Sequence, residues 1–460
     1  MSALAVLSAF STLGGCEELA AKIRNRPTRR RIRTGSAQVD DMMQVYADAV
    51  AAMKGLSNSD RRNWARQAQI HASFCPHGSW AFLPWHRAYL MYFEKICQKL
   101  TNRPDFGLPY WNWAIDSPIP SQFNNSASSL FNPSRNPGAG ANTSIASHSN
   151  MESILSQTNF LLFASSATSK GQLESGPHDT THGGVGGNMG SVPTAALDPV
   201  FWTHHCMMDY CWVDWNLNRD NPNTNDPAWT NLSFNNQFCD GDGVLVTNNV
   251  SAILTTLYPL LTYQYENSQI GNISLREVAM VSTQKELNFV QKKLEKGAPV
   301  AINLRKKIPI LRGLVLPLEK GMQAAPLTVE SADIDRLLAQ NSNDRAILNI
   351  GFVTLPENSD FFVRVYINND SAQPDPGMES IYYAGSFGFF TGQEGSKAPN
   401  YIVDVTETIA RLKKAGKIDA GNNLNIQLTI IPISGEQQGF SDKTLSIEDI
   451  SLDISTVSIK

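Results

Sequence analysis

Hydrophobic and polar positions follow different patterns in the two halves of the chain. Up to about residue 270, apolar residues recur at helical spacing in segments 39–56, 84–100 and 198–216, which predicts amphipathic helices. Beyond that point, short segments rich in β-branched and aromatic residues predict strands: ILNIGFV, DFFVRVYIN, ESIYYAGSFGFF, YIVDVT and NIQLTIIPI. One helical segment, ETIARLKKAG, interrupts them. We therefore predict a mainly α domain followed by a β-sandwich-like domain.

Local signals refine these boundaries. Asp198 and Pro199 are suited to the N-cap and first turn of the third helical segment. A Lys-rich stretch, QKELNFVQKKLEKGAPV, separates the two patterns. We place the first domain at 1–268, a linker at 269–320 and the β-domain at 321–460.

The composition is that of a globular protein. Of the 460 residues, 42% are hydrophobic and 17% are charged, and the formal net charge is -4. A charge this small gives no reason to expect nucleic acid or a membrane surface as partner. No apolar run approaches the roughly 18 residues that a membrane-spanning helix needs, so no such helix is expected.

The N-terminus and the cysteines bear on location. MSALAVLSAFSTLGGC is apolar but lacks the basic residues that normally begin a secretory signal, although its LGGC end resembles a bacterial lipoprotein cleavage site. The cysteines form no regular disulfide framework; they are Cys16, Cys75, Cys97, Cys206, Cys211 and Cys239. We favour a reduced, cytoplasmic protein, with export or lipid attachment as the alternatives.

Seven of the eight histidines fall into two clusters. The clusters consist of His71, His77 and His86, and of His178, His182, His204 and His205. In HDTTH the two histidines are four residues apart, so on a helix their rings leave the same face and can share a metal. In HHCMMD the consecutive rings point about 100° apart, so only one of them can join that pair. Each cluster can thus supply three imidazole ligands to a metal. The alternative is that these histidines are ordinary packed residues of the core.

Ligand type alone does not select the metal, because imidazole binds zinc, copper, iron and nickel. The lack of a carboxylate argues against the facial triad of non-haem iron and against magnesium or calcium. Zinc remains an alternative. Two similar sites on facing helices nevertheless suit a metal pair that shares one ligand, and two copper ions can share dioxygen by giving one electron each.

Two segments resemble the copper-binding motifs of type 3 copper proteins, the family of tyrosinases, catechol oxidases and hemocyanins. They are HASFCPHGSWAFLPWHRAYLMYFE and HDTTHGGVGGNMGSVPTAALDPVFWTHHCMMD, and the similarity extends over about residues 30 to 270. The resemblance implies a four-helix bundle that holds two copper ions. One copper would be bound by His71, His77 and His86. The other would be bound by His178, His182 and His205.

The resemblance also implies roles for side chains around the metals. Glu174 would hold a water near the second copper with Asp179 as its partner, where many hydroxylating members have asparagine. Two carboxylates beside one water repel and raise the pKa of one of them, and a helix N-terminal charge is the alternative for Asp179. Asp209 would orient an imidazole or be a surface charge. Cys75 would form a thioether with His77 or remain a free cysteine.

The substrate pocket would be lined by Val192, Met189, Gly183 and His204. Val192 stands where plant catechol oxidases often have a bulky phenylalanine, and it leaves room for a phenol ring. Gly183 stands where several bacterial enzymes have arginine, which argues against tight binding of a substrate carboxylate. For His204, packing in the core is the alternative.

The second half resembles the C-terminal β-domain of plant and some bacterial members, on the segment DPGMESIYYAGSFGFF. In those proteins the domain covers the copper site and keeps the enzyme latent. An apolar plug is expected at Phe387, Phe389 or Phe390, and ordinary core packing is the alternative for all three. The Lys-rich connector, residues 282–297, would be the place for an activating cut.

These features together predict a copper-dependent oxidoreductase that acts on phenolic small molecules with dioxygen. As a tyrosinase it would hydroxylate monophenols at the ortho position and oxidise o-diphenols to o-quinones. A catechol oxidase without hydroxylase activity is the first alternative. A hemocyanin-like oxygen carrier and a zinc hydrolase or structural metal site are the others.

Overall fold

The chain divides into two compact units in a computed structural model. The first unit comprises Met1–Pro76, Ala81–Ala139 and Gly187–Ala298, and the second comprises His77–Trp80, Gly140–Gly186 and Pro299–Lys460. The structure describes residues 25–250, 253, 262–266, 297–298, 300–317, 322–323, 327–339, 342–354, 361–371, 373–390, 400–418, 423–432 and 444–459. The predictions for the N-terminal segment and for the cut in the connector lie outside the described residues, apart from 297.

The α-helices lie mostly before residue 230. They are α1 (Ala37–Gly55), α2 (Trp64–Phe74), α3 (Phe82–Thr101), α4 (His148–Leu155), α5 (Phe160–Phe163), α6 (Asp179–Val185), α7 (Pro199–Val213), α8 (Pro227–Thr230), α9 (Ser331–Leu337) and α10 (Thr406–Lys414). π-helical turns at Glu174–His178 and Asp214–Asn218 precede α6 and follow α7. Among the described residues, no helix combines the length and the apolar character that crossing a membrane requires.

The strands lie mostly after residue 297. They are β1 (Thr28–Arg29), β2 (Ser169–Lys170), β3 (Asn223–Thr224), β4 (Ser233–Cys239), β5 (Leu245–Asn249), β6 (Gln264–Tyr265), β7 (Gly297–Ala298), β8 (Val300–Pro317), β9 (Met322–Gln323), β10 (Leu327–Thr328), β11 (Asp344–Thr354), β12 (Phe361–Ile367), β13 (Tyr383–Gly388), β14 (Asn400–Asp404), β15 (Asn423–Leu424), β16 (Ile426–Pro432) and β17 (Thr444–Ile459).

The first unit is built on packed helices. Helix α3 packs against both α1 and α7, and the rings of Phe93 and Trp202 stack between α3 and α7 with centroids 3.5 Å apart. Asp198 caps α7 by accepting a hydrogen bond from the Val200 amide at 3.0 Å, and Pro199 is the first helical residue. The three helices predicted from apolar spacing are therefore confirmed. Their apolar residues are buried in the core, which explains the spacing.

The second unit contains two sheets around one apolar core. One sheet has the order β2-β14-β11-β17-β8 and the other has the order β13-β12-β16-β9. Side chains from both sheets, such as Ile350 and Leu452 of the first and Val363 and Leu428 of the second, belong to the same buried cluster. The predicted β-sandwich-like architecture is thus confirmed. The helical segment near ETIARLKKAG is also confirmed as α10.

Strand β8 lies in the stretch that we predicted to be a linker, 269–320. It pairs antiparallel with β17 from Val300↔Ile459 to Pro317↔Thr444, so this part of the stretch belongs to a sheet. Residues 140–186 of the helical half also belong to the second compact unit. The boundaries at 268 and 320 stay predictions.

The two-residue strand β2 joins the helical half to the C-terminal sheet within the second unit. It pairs in parallel with β14, with Ser169 opposite Asn400 and Lys170 opposite Tyr401. Lys170 is therefore placed by a strand that lies about 230 residues further along the chain.

Candidate metal centre

In the first unit, histidines from both sequence clusters meet. His71 on α2 and His86 on α3 have ring centroids 5.8 Å apart, and the ring of His205 on α7 stacks on that of His86 at 4.1 Å and 6°. His204 lies 5.1 Å from His205. All four are buried. The helix packing of this unit therefore brings together residues that are far apart in the sequence.

The second unit also brings the two clusters together. His178 ends the π-helical turn and His182 lies on α6, with ring centroids 4.6 Å apart. The ring of His77 lies 5.6 Å from that of His178. The spacing in HDTTH therefore places two imidazoles side by side, as predicted.

Hydrogen bonds fix the orientation of the rings in the first unit. Nδ1 of His71 lies 2.9 Å from the carbonyl oxygen of Val192, and Nδ1 of His86 lies 2.9 Å from that of Phe82. A carbonyl can only accept, so each Nδ1 donates and each Nε2 carries the lone pair that binds a metal. Burial lowers the pKa of His71 to about 4 and that of His86 well below its ordinary value, so both rings are neutral.

In the second unit, a carboxylate fixes the orientation of a histidine ring. Nδ1 of His178 lies 2.8 Å from Oδ1 of Asp179, which leaves Nε2 as the metal-binding nitrogen. Histidine ligands of metals commonly donate their second nitrogen to a carboxylate or a backbone carbonyl. The orientation of three rings is therefore that of metal ligands.

His204 differs from the other histidines. Its Nδ1 accepts a hydrogen bond of 3.1 Å from Nε1 of Trp113, and burial lowers the pKa of His204 to about 3. In a neutral ring with an accepting Nδ1, the hydrogen is on Nε2. Of the two consecutive histidines, His205 is therefore better suited to bind a metal.

The chain offers two groups of side chains that could each hold a metal ion. They are His71, Cys75, His77 and His86 in one group and His178, His182, His204 and His205 in the other. Each group contains three or more imidazoles, the donor set that copper and zinc prefer.

The sequence and the fold match known proteins. A family model for the common central domain of tyrosinase matches residues 47–143 and 122–218. A tyrosinase from Hahella sp. (strain CCB-MM4) is 28% identical over 493 aligned positions, which cover 90% of this chain and 97% of that protein. The chain is thus similar to tyrosinases and polyphenol oxidases, and its residues 47–218 match their common central domain.

Plant relatives cover both halves of the chain. The chloroplastic polyphenol oxidase of Malus domestica is 25% identical and covers 78% of this chain and 68% of its own length. The structure of latent apple tyrosinase covers 94% of this chain and 97% of its own, with a TM-score of 0.70 at 20% identity. Recombinant latent aurone synthase has a TM-score of 0.68 at 19% identity and covers 94% and 90%. The chain thus shares the fold of the helical domain and of the sheet-containing C-terminal region with these structures.

Tyrosinase-family proteins bind two copper ions, and the two histidine groups fit that cofactor. The three or more imidazoles in each group suit copper, and the tautomers of His71, His86 and His178 present Nε2 as the donor atom. The Sγ of Cys75 lies 3.4 Å from Nε2 of His86. The thioether between Cys75 and His77 stays a prediction.

A polar cluster lies beside His178 in the second unit. Oε1 of Glu174 accepts a hydrogen bond of 2.7 Å from the Gly78 amide, and Oε2 accepts one of 2.6 Å from the Ser165 hydroxyl. Burial raises the pKa of Glu174 and of Asp179, and the charge of Lys170 opposes the increase in both. The predicted pair of carboxylates is thus present and fully buried.

The cation of this cluster is Lys170, which was not predicted from the sequence. Nζ of Lys170 lies 2.6 Å from Oδ2 of Asp179 and 3.8 Å from Oε1 of Glu174, and all three side chains are fully buried. Lys170 lies on strand β2 rather than on the helical turn of Glu174, so no local pattern in the sequence indicates this ion pair.

Asp209 has partners other than the predicted imidazole. Its carboxylate accepts hydrogen bonds from two arginines and two tyrosines of the first unit: Arg29 at 3.1 Å, Arg87 at 2.6 Å, Tyr263 at 2.6 Å and Tyr265 at 2.7 Å. It is also buried rather than a surface charge. The surface-charge alternative for Asp209 is therefore wrong, whereas its orientation of an imidazole stays a prediction.

The predicted pocket residues occupy different environments. Met189 is buried, and Val192 and Gly183 are half-buried. Val192 contributes its carbonyl to His71, so its backbone orients a ring while its side chain stays partly accessible. His204 is buried against Trp113. Their roles toward a substrate stay predictions.

The three candidate plug residues differ in what their rings contact. Phe387 and Phe389 belong to the apolar core of the sandwich, where Phe387 packs on Tyr401 with centroids 4.8 Å apart. The ring of Phe390 instead stacks on that of His182 at 3.7 Å and 16°, and its centroid lies 5.0 Å from that of His77. Only Phe390, among the three, is in contact with histidines of the metal groups in the described structure.

Proposed function

We propose that the protein oxidises phenols with dioxygen as a tyrosinase, hydroxylating monophenols and oxidising o-diphenols to o-quinones. The assigned ligands are His71, His77 and His86 for one copper and His178, His182 and His205 for the other. The observation that carries the proposal is the meeting of both histidine clusters within each compact unit. Bound as a pair, the copper ions would activate dioxygen and take electrons from the phenol ring.

The chain's own residues determine how a substrate is received. Burial keeps His71 and His86 neutral, and their hydrogen bonds to backbone carbonyls engage Nδ1 and leave Nε2 as the donor atom for a metal. The small side chain of Val192 leaves room for a planar ring beside His71. Apolar walls such as Phe201, whose centroid lies 4.2 Å from that of His205, exclude water from the reaction.

Hydroxylation of a monophenol requires that its proton be removed, and Glu174 is the proposed acceptor. Its carboxylate is held by the Gly78 amide and the Ser165 hydroxyl, and further lone pairs can hold a water. Burial raises the pKa of Glu174, which favours uptake of a proton from a phenol through that water. Asp179 serves instead to orient His178.

The decisive experiment is a lag-resolved assay of a monophenol and its o-diphenol, before and after limited proteolysis, on the copper-loaded enzyme. Both substrates should turn over after cleavage. In Glu174→Gln, hydroxylation should fall by a factor of about 100 or more, whereas diphenol oxidation should change less than about threefold.

Other outcomes discriminate the alternatives. Turnover of the diphenol alone would identify a catechol oxidase, and reversible oxygen binding without turnover would identify an oxygen carrier. Oxidation of neither substrate would refute the proposal. Equal loss of both activities in Glu174→Gln would remove its special role.

Phe390 is the proposed plug, and its replacement tests whether the C-terminal region keeps the enzyme latent. Because Phe390 covers His182, Phe390→Ala should raise diphenol oxidation of the uncut enzyme several-fold toward that of the cleaved enzyme. Phe387→Ala is the matched control, since it removes a ring from the sandwich core and should lower stability by about 3 to 5 kcal/mol. If both variants remain as latent as the wild type, another group covers the site.

A further inference from the structure

Lys170 is a buried cation next to the residues assigned to the second copper, and the proposed function does not use it. Its side chain is fully buried and its ammonium lies 2.6 Å from Oδ2 of Asp179. Burying an ammonium group costs several kcal/mol unless it is well paired. Because this lysine is fully buried, it cannot contribute to solubility, and we expect it to have a structural or functional role.

The two oxygens of Asp179 have separate partners. Oδ2 accepts from the Lys170 ammonium and Oδ1 accepts from Nδ1 of His178 at 2.8 Å. Because the ammonium can only donate, it holds one oxygen and thereby directs the other toward the imidazole. Without that partner, the carboxylate could rotate about its terminal bond and lose its alignment with His178.

The backbone around Lys170 is fixed from two sides. Strand β2 pairs with β14, with Lys170 opposite Tyr401, and Nζ lies 5.9 Å from the centroid of the Tyr401 ring. On the other side, a Cβ at Gly171 would lie 2.4 Å from the Ala164 carbonyl oxygen, so only glycine permits this close turn. The position of the ammonium is thus set by the backbone and by the C-terminal sheet together.

We propose that Lys170 is a positioning residue for the second copper: it fixes the Asp179 carboxylate so that His178 presents Nε2 to the metal. The inference rests on the proposed function, because it assumes that His178 is a ligand. Partners of this kind typically change metal affinity by about 10- to 100-fold when they are removed. Lys170 acts through Asp179 and does not touch the substrate.

The test compares copper binding by full-length variants. Wild type, Lys170→Met, Lys170→Arg, Asp179→Asn and the double variant Lys170→Met/Asp179→Asn are loaded with copper(II) sulfate and dialysed against a competing chelator. Copper per folded chain is then measured, together with the unfolding temperature of the metal-free protein. Arg364→Met is the control, since it breaks another ion pair of the second unit in which the cation is largely buried, Arg364 with the half-buried Asp375 at 2.7 Å.

Lys170→Met should bind one of the two coppers at least about tenfold more weakly, whereas Lys170→Arg should stay within about threefold of the wild type because it retains a cation. Arg364→Met should unfold at a lower temperature with unchanged copper affinity. The double variant should bind copper as Asp179→Asn does, because Lys170 acts only on the charged partner.

Two results would overturn the inference. One is a Lys170→Met protein that unfolds at a lower temperature but binds both coppers with unchanged affinity, which is the behaviour expected of the Arg364→Met control. The other is a double variant that binds copper about tenfold more weakly than Asp179→Asn, and this comparison decides the matter even if Lys170→Met alone does not fold. Failure of the wild type to bind two coppers would refute the proposed function instead.

Discussion

The carboxylate of Asp209 lies on α7 between two guanidinium groups that are themselves fully buried. The side chains of Arg29 and Arg87 are inaccessible to solvent, and Tyr263 and Tyr265 complete the shell around the carboxylate. A network of this kind ties the start of the first unit to its end, because β1 and β6 also pair in parallel. Asp209 therefore acts on the stability of the helical core.

Replacing Asp209 should destabilise the protein strongly. In Asp209→Ala, two buried guanidinium groups lose their shared counter-ion, so the free energy of unfolding should fall by about 3 to 5 kcal/mol, measured by urea denaturation of the metal-free protein. Burial alone would raise the pKa of Asp209, but Arg87, Arg29 and the hydrogen bond from Tyr263 hold it below its ordinary value.

The loss of stability in Asp209→Ala should be largest near neutral pH and should shrink as the pH falls. A lowered folded pKa means that the stabilisation by Asp209 is complete above about pH 4, near the pKa of an unfolded aspartate, and is lost as the pH falls through the folded pKa. Asp242→Ala is the control, because Asp242 and Lys99 form an exposed pair, and it should leave the free energy of unfolding nearly unchanged. An equal effect of both substitutions would contradict this account.

At the same scale, the sequence allowed prediction of the histidines but not of their surroundings. Ligand spacing is local, so HDTTH was enough to pair His178 with His182. Lys170 depends on a strand contributed by residues 400–404, and no local pattern reveals that contact. For the same reason, sequence alone did not choose Phe390 among the three candidate phenylalanines.

At the scale of elements, β13 lies directly against α6 in the second unit. A Cβ at Gly388 would lie 2.7 Å from Cγ2 of Thr180 and 3.2 Å from its amide nitrogen. The strand that leads to Phe390 can therefore approach the helix of His182 only because residue 388 has no side chain.

Gly388→Ala should force this strand away from the helix. Overpacking of this kind costs about 1 to 3 kcal/mol, measured by urea denaturation, and displacement of Phe390 should raise the activity of the uncut enzyme. Gly55→Ala is the control, since a Cβ there would have no atom within 4 Å. A Gly388→Ala protein with unchanged stability and latency would show that the helix and strand can separate without cost.

Elements with a regular apolar pattern were predicted well, and those without one were not. Helices α1, α3 and α7 have buried faces that the spacing reveals. Strand β8 carries charged residues in VAINLRKKIPILRGLVLP and lies at the edge of its sheet, with many exposed positions, so it resembled a linker. A two-residue strand such as β2 has no pattern of its own.

At the scale of the whole molecule, copper binding should be linked to folding. The ligands are assigned to α2, α3, α6 and α7, to the π-helical turn, and to His77, so the ions bind the folded chain more tightly than the unfolded one. Free copper at about 100 times its dissociation constant would stabilise the folded protein by about 2.7 kcal/mol.

Removing copper with a chelator should therefore lower the unfolding temperature in calorimetry, and adding copper back should restore it. Magnesium serves as the control, because imidazole groups do not favour it. A metal-free protein that unfolds at the same temperature as the loaded one would contradict the linkage.

The pairing of β2 with β14 bears on the timing of activation. A cut in the connector would break one peptide bond but leave Lys170 opposite Tyr401 in the same sheet. The two fragments would then persist as a non-covalent complex, and activity would appear at the rate at which they dissociate. The delay between cleavage and activity would equal the lifetime of this complex, which mild denaturant would shorten. A high fragment concentration would instead favour rebinding and so lower the fraction of active enzyme.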